Sequence, residues 1–245
     1  MKNKFLSVIV KLRSYVFGLC LLWGVLLGVQ AQTISLQSDE GQALFAQATD
    51  KSAFWRIMRY HESQSQKSTC GVASGVAALN TLGVKGPAVA AIKGAKLFTQ
   101  DNFFTPAAIE VRAKEVVYDH GYPLLDLAKT LQANGADVRA VPVTDKLSID
   151  EVRADLRNSL SDSQAVVIAL FLRSALGQAN GGGHFSPLGA YDAKSDRFLV
   201  MDVTRFARPS IWVETEMLYR SMNTIDPDGK VPRGYLVVRK KSPDA

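Results

Sequence analysis

The order of residue patterns along the chain is the feature that most restricts its fold, because helical patterns come first and strand patterns afterwards. Apolar periodicity and helix-end signals indicate helices over 40–48, 52–59, 70–82, 106–118, 124–133 and 148–160. Alternating or continuous apolar runs indicate strands over 136–143, 165–171, 185–191, 197–203 and 234–239. This segregation predicts an α+β protein in which a helical half packs on an antiparallel sheet.

The first 31 residues have the composition of a secretory leader. Four basic residues precede residue 14, an uncharged apolar stretch covers 15–29, and the segment ends at Val29-Gln30-Ala31. This arrangement predicts cleavage after Ala31, export to a periplasmic or lumenal compartment, and one folded domain over 32–245. The alternative is an uncleaved membrane anchor, although the apolar stretch is shorter than the roughly 20 residues that span a bilayer.

Charge and cysteine usage narrow the classes of function. Four of the 29 lysine and arginine residues lie in the leader, so most of the net charge of +6 is located there. The rest of the chain has no dense basic run with interleaved aromatic residues, which argues against a nucleic-acid partner. After Cys20 in the leader the chain has one cysteine, Cys70. A lone thiol forms neither an intrachain disulfide nor a multi-thiolate metal site, so Cys70 is either inert or reactive.

The surroundings of Cys70 favour a reactive thiol. Cys70 stands at the mouth of the small-residue helix predicted over 70–82, and a helix N-terminus stabilises the nucleophilic thiolate. Gln64 precedes it by six residues and is a candidate amide donor to the oxyanion of an acyl-transfer intermediate, together with the backbone N–H of Cys70. A thiol nucleophile of this kind needs a base and a group that orients the base.

Among the three histidines, His184 is the best candidate for the base. It follows a glycine run that ends at Gly183 and opens a predicted strand, so it can face a cleft while a ligand approaches the glycine backbone. His120 fits a helix C-terminus, and His61 lies in a loop. Asp202 is the candidate orienting group, because it follows an apolar strand where an unpaired charge is costly. A turn between strands 185–191 and 197–203 places Asp202 opposite His184.

Three segments of the chain resemble one family of enzymes. They are Gln64 with Cys70-Gly71, the run Gly183-His184-Phe185-Ser186-Pro187, and the run from Asp202 through Arg205-Phe206 and Pro209 to Trp212-Val213. Their order is that of the papain-like cysteine peptidase clan, and the chain resembles short bacterial members of the phytochelatin synthase family. The resemblance implies Cys70 as nucleophile, His184 as base, Asp202 as orienting residue and Gln64 as oxyanion donor.

The resemblance also implies a substrate and a reaction. Members of the family attack the Cys–Gly peptide bond of glutathione, release glycine and form a γ-glutamylcysteinyl thioester, which passes to water or to a second glutathione. It points to Asp226 and Arg233 as residues that hold the γ-glutamyl group, and an arginine grips a carboxylate with two donors. We expect Arg173 to hold the carboxylate of the acceptor, and Gly183 to border the bound substrate.

In this interpretation, metal ions are bound by the substrate and not by the protein. Eukaryotic relatives add a cysteine-rich C-terminal region, whereas this chain has no vicinal cysteines, so we expect no tightly bound cofactor. Cadmium and similar ions would act as thiolate complexes of glutathione. We expect chiefly hydrolysis of glutathione with slower transfer, and a homodimer is compatible with the sequence. The open alternatives are a papain-clan peptidase acting on other peptides or γ-glutamyl conjugates, and a non-catalytic thiol- or metal-binding module.

Overall fold

The structure is a computed structural model that describes residues 32–89, 93–179 and 181–241. The predicted leader and Cys20 lie outside the described residues, so cleavage and export stay predictions. Within the described residues no helix is both long and apolar enough to cross a bilayer.

The described strands form one sheet in which every pairing is antiparallel. The strands are β1 (Ile34–Ser35), β2 (Ala136–Pro142), β3 (Ala165–Leu172), β4 (Gly183–Asp192), β5 (Arg197–Val200), β6 (Ile211–Glu214) and β7 (Gly234–Lys240). Their order across the sheet is β1-β6-β5-β4-β3-β7-β2. Strand β4 is buried from its second residue onwards, and β3 is buried except for its last residue, as the continuous apolar run over 165–171 predicts.

The described helices are α1 (Asp39–Gln47), α2 (Ser52–Met58), α3 (Cys70–Thr81), α4 (Pro106–Val111), α5 (Lys114–His120), α6 (Leu124–Ala133), α7 (Ile149–Ser161) and α8 (Thr215–Met222). Together with the antiparallel sheet they confirm the α+β prediction. Helix α7 begins with a capping box, in which Ser148 and Glu151 satisfy each other's backbone N–H groups.

The sequence prediction is wrong at several element boundaries. The helix expected over 106–118 is two helices, because Arg112 adopts an extended backbone (φ −157°, ψ 121°) between α4 and α5. Strand β5 ends at Val200 rather than at residue 203, which leaves the backbone around Asp202 free of strand geometry. Strands β1 and β6 and helix α8 were not predicted. They are short, and α8 follows β6 with no turn residue between them to separate the two patterns.

Helix α3 lies deep in the molecule because its side chains are small. All its residues from Gly71 to Asn80 are buried. A Cβ atom on Gly75 would stand 2.8 Å from the ring of Phe103, and one on Gly71 would stand 3.3 Å from the ring of Phe185 in β4. The missing side chain at position 71 thus lets the first turn of α3 approach β4 closely. This contact brings Cys70, the first residue of α3, against the sheet.

Candidate active site

A groove of about 780 Å³ runs between the helical half and the sheet. Its walls include Cys70 at the start of α3, His184 at the start of β4 and Arg173 just after β3. Asp226 and Arg233, which flank the turn before β7, line the same groove. The structure therefore brings together residues that are up to 163 positions apart. Seven of the eight predicted site residues line this groove, and the eighth, Asp202, is buried behind His184.

The thiol of Cys70 lies within hydrogen-bonding reach of the His184 side chain and of the Phe185 backbone N–H. The residue is partly exposed, whereas the His184 side chain is buried. The Phe171 ring packs edge-on against the His184 ring, with the centroids 5.6 Å apart, and this contact fixes the plane of the imidazole. The first N–H groups of α3 have no partner within the helix and point toward the side of the groove where Cys70 lies.

Asp202 contacts His184, the residue that the sequence analysis expects it to orient. Strands β4 and β5 pair antiparallel, with Asp192 opposite Arg197 and a register shift between Leu188 and Ala190. The chain leaving β5 then places Asp202, which is fully buried, with its Oδ1 atom 3.0 Å from Nε2 of His184. Since Nε2 contacts the carboxylate, Nδ1 is the nitrogen that faces Cys70. Nucleophile, base and orienting carboxylate thus form one chain of contacts.

The electrostatics favour a thiolate beside an imidazolium. Burial raises the pKa of the Cys70 thiol, but the charge of His184, hydrogen bonds from His184 and Phe185, and the Arg173 guanidinium together lower the pKa below its usual value. Burial lowers the pKa of His184, yet the Cys70 thiolate and Asp202 raise it overall. Burial likewise raises the pKa of Asp202, and contacts with His184 and Arg173 bring it well below its usual range. The Cys70 thiolate, the His184 imidazolium and the Asp202 carboxylate thus stabilise the charged forms of one another.

Arg173 has a partner that the sequence analysis did not predict. Its Nη2 donates to Oδ1 of Asp202 at 2.9 Å and its Nη1 lies 2.8 Å from Oδ2, so the buried guanidinium faces the whole carboxylate. Nη2 also donates to Oγ1 of Thr204, and Nη1 to Oε1 of Gln178. Both terminal nitrogens are thus engaged within the protein. The expectation that Arg173 holds the acceptor carboxylate is not supported by this geometry, because the guanidinium neutralises Asp202 instead.

The amide of Gln64 is also engaged within the protein. Its nitrogen donates to the backbone carbonyls of Gln66 (2.6 Å) and Lys67 (2.9 Å), and its oxygen accepts from the Thr204 hydroxyl at 3.0 Å. These contacts shape the loop that leads into Cys70. The role of Gln64 as an oxyanion donor stays a prediction that needs one of these amide hydrogens to be redirected, whereas the backbone N–H of Cys70 needs no such change.

A second glutamine, Gln100, forms hydrogen bonds that hold this loop in place. The sequence analysis did not identify it as a site residue. The Gln100 side chain donates to the Ser63 carbonyl (2.9 Å) and accepts from the Ser65 N–H (2.9 Å), so it bonds to the residues on both sides of Gln64. Nothing in the local sequence marks Gln100, since it lies in an irregular stretch 36 residues after Gln64. Only the tertiary contact between the two loops reveals it.

Arg233 is a buried cation with an unused edge. Its Nη1 donates to Oγ1 of Thr224 (3.1 Å) and to the Ile225 carbonyl (2.7 Å), while its Nε is buried and has no hydrogen-bond partner among the described residues. A Cβ atom on Gly183 would stand 3.1 Å from Nε and 3.3 Å from Nη2. The bare backbone of Gly183 therefore keeps open the edge of Arg233 that binds carboxylates in bidentate fashion. Burial lowers the pKa of Arg233, and nearby Asp226 partly offsets that shift.

The other two histidines do not join the catalytic group. Nε2 of His61 donates to the Met201 carbonyl oxygen at 3.0 Å, and burial lowers the pKa of His61 to about 4, so it is neutral. His120 ends α5 and lines the groove, as the helix-end interpretation predicts for its place in the chain. Among the described residues no three His, Cys, Asp or Glu side chains are grouped as a metal site. The expectation of no bound cofactor stays a prediction.

Comparison with known proteins identifies the family. A family model described as phytochelatin synthase matches residues 27–235. The chain belongs to the phytochelatin synthase family. This confirms the resemblance that rests on the motifs around Cys70, His184 and Asp202, and the matched range contains every residue of the groove described above.

Curated members of the phytochelatin synthase family resemble the chain over most of its length. Glutathione gamma-glutamylcysteinyltransferase 3 of Lotus japonicus is 29% identical over 211 residues, which is 84% of this chain and 42% of the relative. The Triticum aestivum enzyme 1 of the same name is 30% identical over 219 residues, 85% of this chain and 41% of the relative. The Schizosaccharomyces pombe enzyme is 27% identical over 210 residues, 84% of this chain and 49% of the relative. The chain thus spans less than half the length of these relatives.

Proposed function

We propose that the protein cleaves the Cys–Gly bond of glutathione through a γ-glutamylcysteinyl thioester on Cys70. The observation that carries this proposal is the juxtaposition of two features in one groove. The first is the chain of contacts from Cys70 through His184 to Asp202, an arrangement that suits acyl transfer through a thiolate. The second is the buried Arg233 with its open edge, which suits a carboxylate-bearing head group. The relatives named glutathione gamma-glutamylcysteinyltransferases support the same substrate.

The reaction follows from the contacts of Cys70. Its thiolate attacks the carbonyl carbon of the cysteinyl residue, and the resulting oxyanion meets the backbone N–H of Cys70. The C–N bond then breaks as the His184 imidazolium gives its proton to the departing glycine nitrogen. The acyl group remains on sulfur as a thioester. Neutral His184 next takes a proton from water, giving γ-glutamylcysteine, or from the amine of a second glutathione, giving a short phytochelatin.

Recognition of the γ-glutamyl group is the proposed role of the turn before β7. The α-carboxylate pairs with the Nε and Nη2 edge of Arg233, and the α-ammonium pairs with Asp226, whose Oδ1 also accepts from the Asp228 N–H. Both side chains are buried, so the charges of the ligand would complete contacts that the free protein leaves open. The missing side chain at Gly183 leaves room for the carboxylate.

The reaction is tested by incubating the protein with glutathione and separating the thiol products and free glycine. We expect the amount of glycine to equal the sum of γ-glutamylcysteine and dimeric phytochelatin, with phytochelatin the smaller of the two and increasing with glutathione concentration. An unrelated cysteine-containing peptide without a γ-glutamyl group serves as the control. Equal cleavage of the two would favour the general peptidase, and absence of glycine release would contradict the proposal.

Replacement of Gly183 by alanine tests the carboxylate pocket. The added methyl group would occupy the space beside Nε of Arg233, so we expect KM for glutathione to rise by roughly tenfold, the effect of losing about 1.4 kcal/mol of binding. Gly182→Ala is the matched control, because a Cβ atom there meets nothing within 4 Å. Equal KM values for the two variants would show that the pocket does not bind the substrate.

We also propose that metal ions take part as thiolate complexes of glutathione, with the sulfur of the substrate as the ligand. Soft ions such as cadmium bind thiolates strongly, whereas the single Cys70 of the described residues is engaged with His184. Export after removal of the leader and assembly as a homodimer remain part of this proposal.

A further inference from the structure

One cation in the groove is used neither for proton transfer nor for recognition of the γ-glutamyl group. Arg208 is partly exposed and lies on the loop that follows Asp202. Its recorded polar contact is a long one, from Nη2 to the Ala179 carbonyl at 3.4 Å. Among the described residues it forms no ion pair, in contrast to Arg173, which pairs with Asp202. Arg208, which also borders a second cavity beside Met201 and Ser210, thus lines the groove with a side chain that can still bind an anion.

The sheet order places the loop that carries Arg208 relative to the strand that carries His184. Strands β5, β4, β3 and β7 are consecutive neighbours. Arg208 follows the end of β5, His184 opens β4, and Arg233 immediately precedes β7, whose first residue pairs with Leu170 of β3. Because neighbouring strands are antiparallel, these three points lie at the same end of the strands. The loop that carries Arg208, between β5 and β6, and the turn that carries Arg233 thus leave the sheet on opposite sides of β4, and both residues line the groove.

This arrangement separates the two ends of a glutathione molecule. When the γ-glutamyl head is at Arg233 and the scissile carbonyl is at Cys70, the glycine continues past His184 toward the loop that carries Arg208. The carboxylate of that glycine is one carbon atom away from the nitrogen that leaves. A bidentate arginine suits such a carboxylate better than a lysine does.

The acceptor of the transfer reaction has the same local chemistry. The attacking group of a second glutathione is its α-amine, and an α-carboxylate is again one carbon atom away from that nitrogen. The attack of an amine on the thioester is also the chemical reverse of glycine release. A carboxylate-binding group placed for the leaving glycine is therefore placed equally well for the incoming amine.

We propose that Arg208 binds the α-amino-acid carboxylate next to the reacting nitrogen, first in the leaving glycine and then in the acceptor glutathione. This inference rests on the proposed function and adds to it the recognition of the second half of the substrate. It assigns to Arg208 the role that the sequence analysis gave to Arg173. Lys67, an exposed cation of the same groove in the loop before α3, is the alternative binding group.

The test compares glutathione with γ-glutamylcysteinyl-glycinamide, which lacks only the terminal carboxylate charge. We measure release of glycine or glycinamide by the unaltered protein and by the Arg208→Gln and Lys67→Ala variants. A charge-assisted hydrogen bond is worth enough that we expect the unaltered protein to prefer glutathione by about tenfold or more in kcat/KM. In Arg208→Gln this ratio should fall to near one, and in Lys67→Ala it should stay unchanged.

A second measurement separates this inference from failure of folding and from failure of the proposed function. Arg208→Gln should lower the ratio of phytochelatin to γ-glutamylcysteine, because water needs no carboxylate partner, and it should leave the rate of Cys70 alkylation unchanged. An unchanged preference for glutathione in Arg208→Gln would overturn the inference, as would loss of that preference in Lys67→Ala. If the unaltered protein released no glycine from either substrate, the proposed function itself would fail.

Discussion

Replacement of Cys70 by alanine will stop the release of glycine from glutathione. The variant keeps Gln64, His184 and Asp202, but it has no atom that can form the thioester, and loss of a nucleophile lowers turnover by roughly 10³-fold or more. The assay is glycine release, combined with mass spectrometry of the protein after brief exposure to glutathione. The unaltered protein should carry the γ-glutamylcysteinyl group on Cys70, and the alanine variant should carry none.

The fold of this variant should be intact, because alanine is small and Cys70 stands at the first position of α3. Its thermal unfolding therefore provides the control, and a midpoint close to that of the unaltered protein is expected. Cys70→Ser is the matched chemical control. A serine hydroxyl in the same place is far less acidic than the thiol, so this variant should also be nearly inactive. Glycine release by Cys70→Ala at the original rate would show that the thiol is not the nucleophile.

The state of the thiol can be measured directly. Because the pKa of Cys70 is lowered and that of His184 is raised, the thiolate and imidazolium coexist over a pH range in which an ordinary cysteine is protonated. Alkylation of Cys70 should therefore begin at a lower pH than alkylation of an ordinary cysteine. In His184→Ala the thiolate loses its closest positive partner, and the onset of alkylation should move to higher pH.

Replacement of Arg173 by methionine will lower both stability and activity, because it leaves the buried Asp202 carboxylate without its permanently charged partner. Removal of one partner of a buried ion pair costs about 3 kcal/mol. The free energy of unfolding is measured in urea near neutral pH, and glycine release is measured in parallel. We expect activity to fall as well, since a less strongly held Asp202 orients His184 less firmly. Arg173 acts in this case as a positioning residue.

Two controls separate the effect of charge from that of packing. Arg220→Met removes an exposed partner of Glu216, so we expect the free energy of unfolding to change by less than about 1 kcal/mol. In the double variant Arg173→Met with Asp202→Asn the buried charge is gone, and part of the lost stability should return. If the double variant were less stable than Arg173→Met alone, the loss would come from packing of the arginine stem.

The loss of unfolding free energy in Arg173→Met should depend on pH in one direction. The pKa of Asp202 is lower in the folded protein than in the unfolded chain, so its ion pairs stabilise the fold above the ordinary pKa of an aspartate, about 4. That stabilisation is lost as pH falls toward the lowered value. The difference in unfolding free energy between the unaltered protein and Arg173→Met should thus be full at neutral pH and should shrink below about pH 4.

The agreement between sequence and structure is closest where a pattern is local. Helix α6 was predicted over the same residues that the structure shows, because its apolar spacing begins after Pro123 and ends before Gly135. The start of α3 at Cys70 was predicted for the same kind of reason. The break at Arg112 and the short strand β6 were missed, because neither contains a proline, a glycine or a long apolar run. Their conformations depend on the surfaces against which they pack.

The catalytic group was predictable because few residues could form it. One cysteine after the leader and three histidines left little choice, and an aspartate after an apolar strand requires a partner. The partners of Arg173, Gln64 and Arg208 were not predictable in this way. Each of these side chains is long enough to reach several neighbours, and the neighbour it meets depends on strands and loops that are distant in sequence.

The amino-acid sequence by itself determined the α+β class, the family, and the candidates for nucleophile, base and orienting acid. These follow from local periodicity, from scarcity of reactive side chains, and from short motifs. The tertiary structure alone decided which charges face one another: Arg173 neutralises Asp202, Arg233 keeps one side open beside Gly183, and Arg208 lines the same groove from the loop between β5 and β6. Electrostatic pairing depends on distances of a few ångströms between segments that only folding brings together.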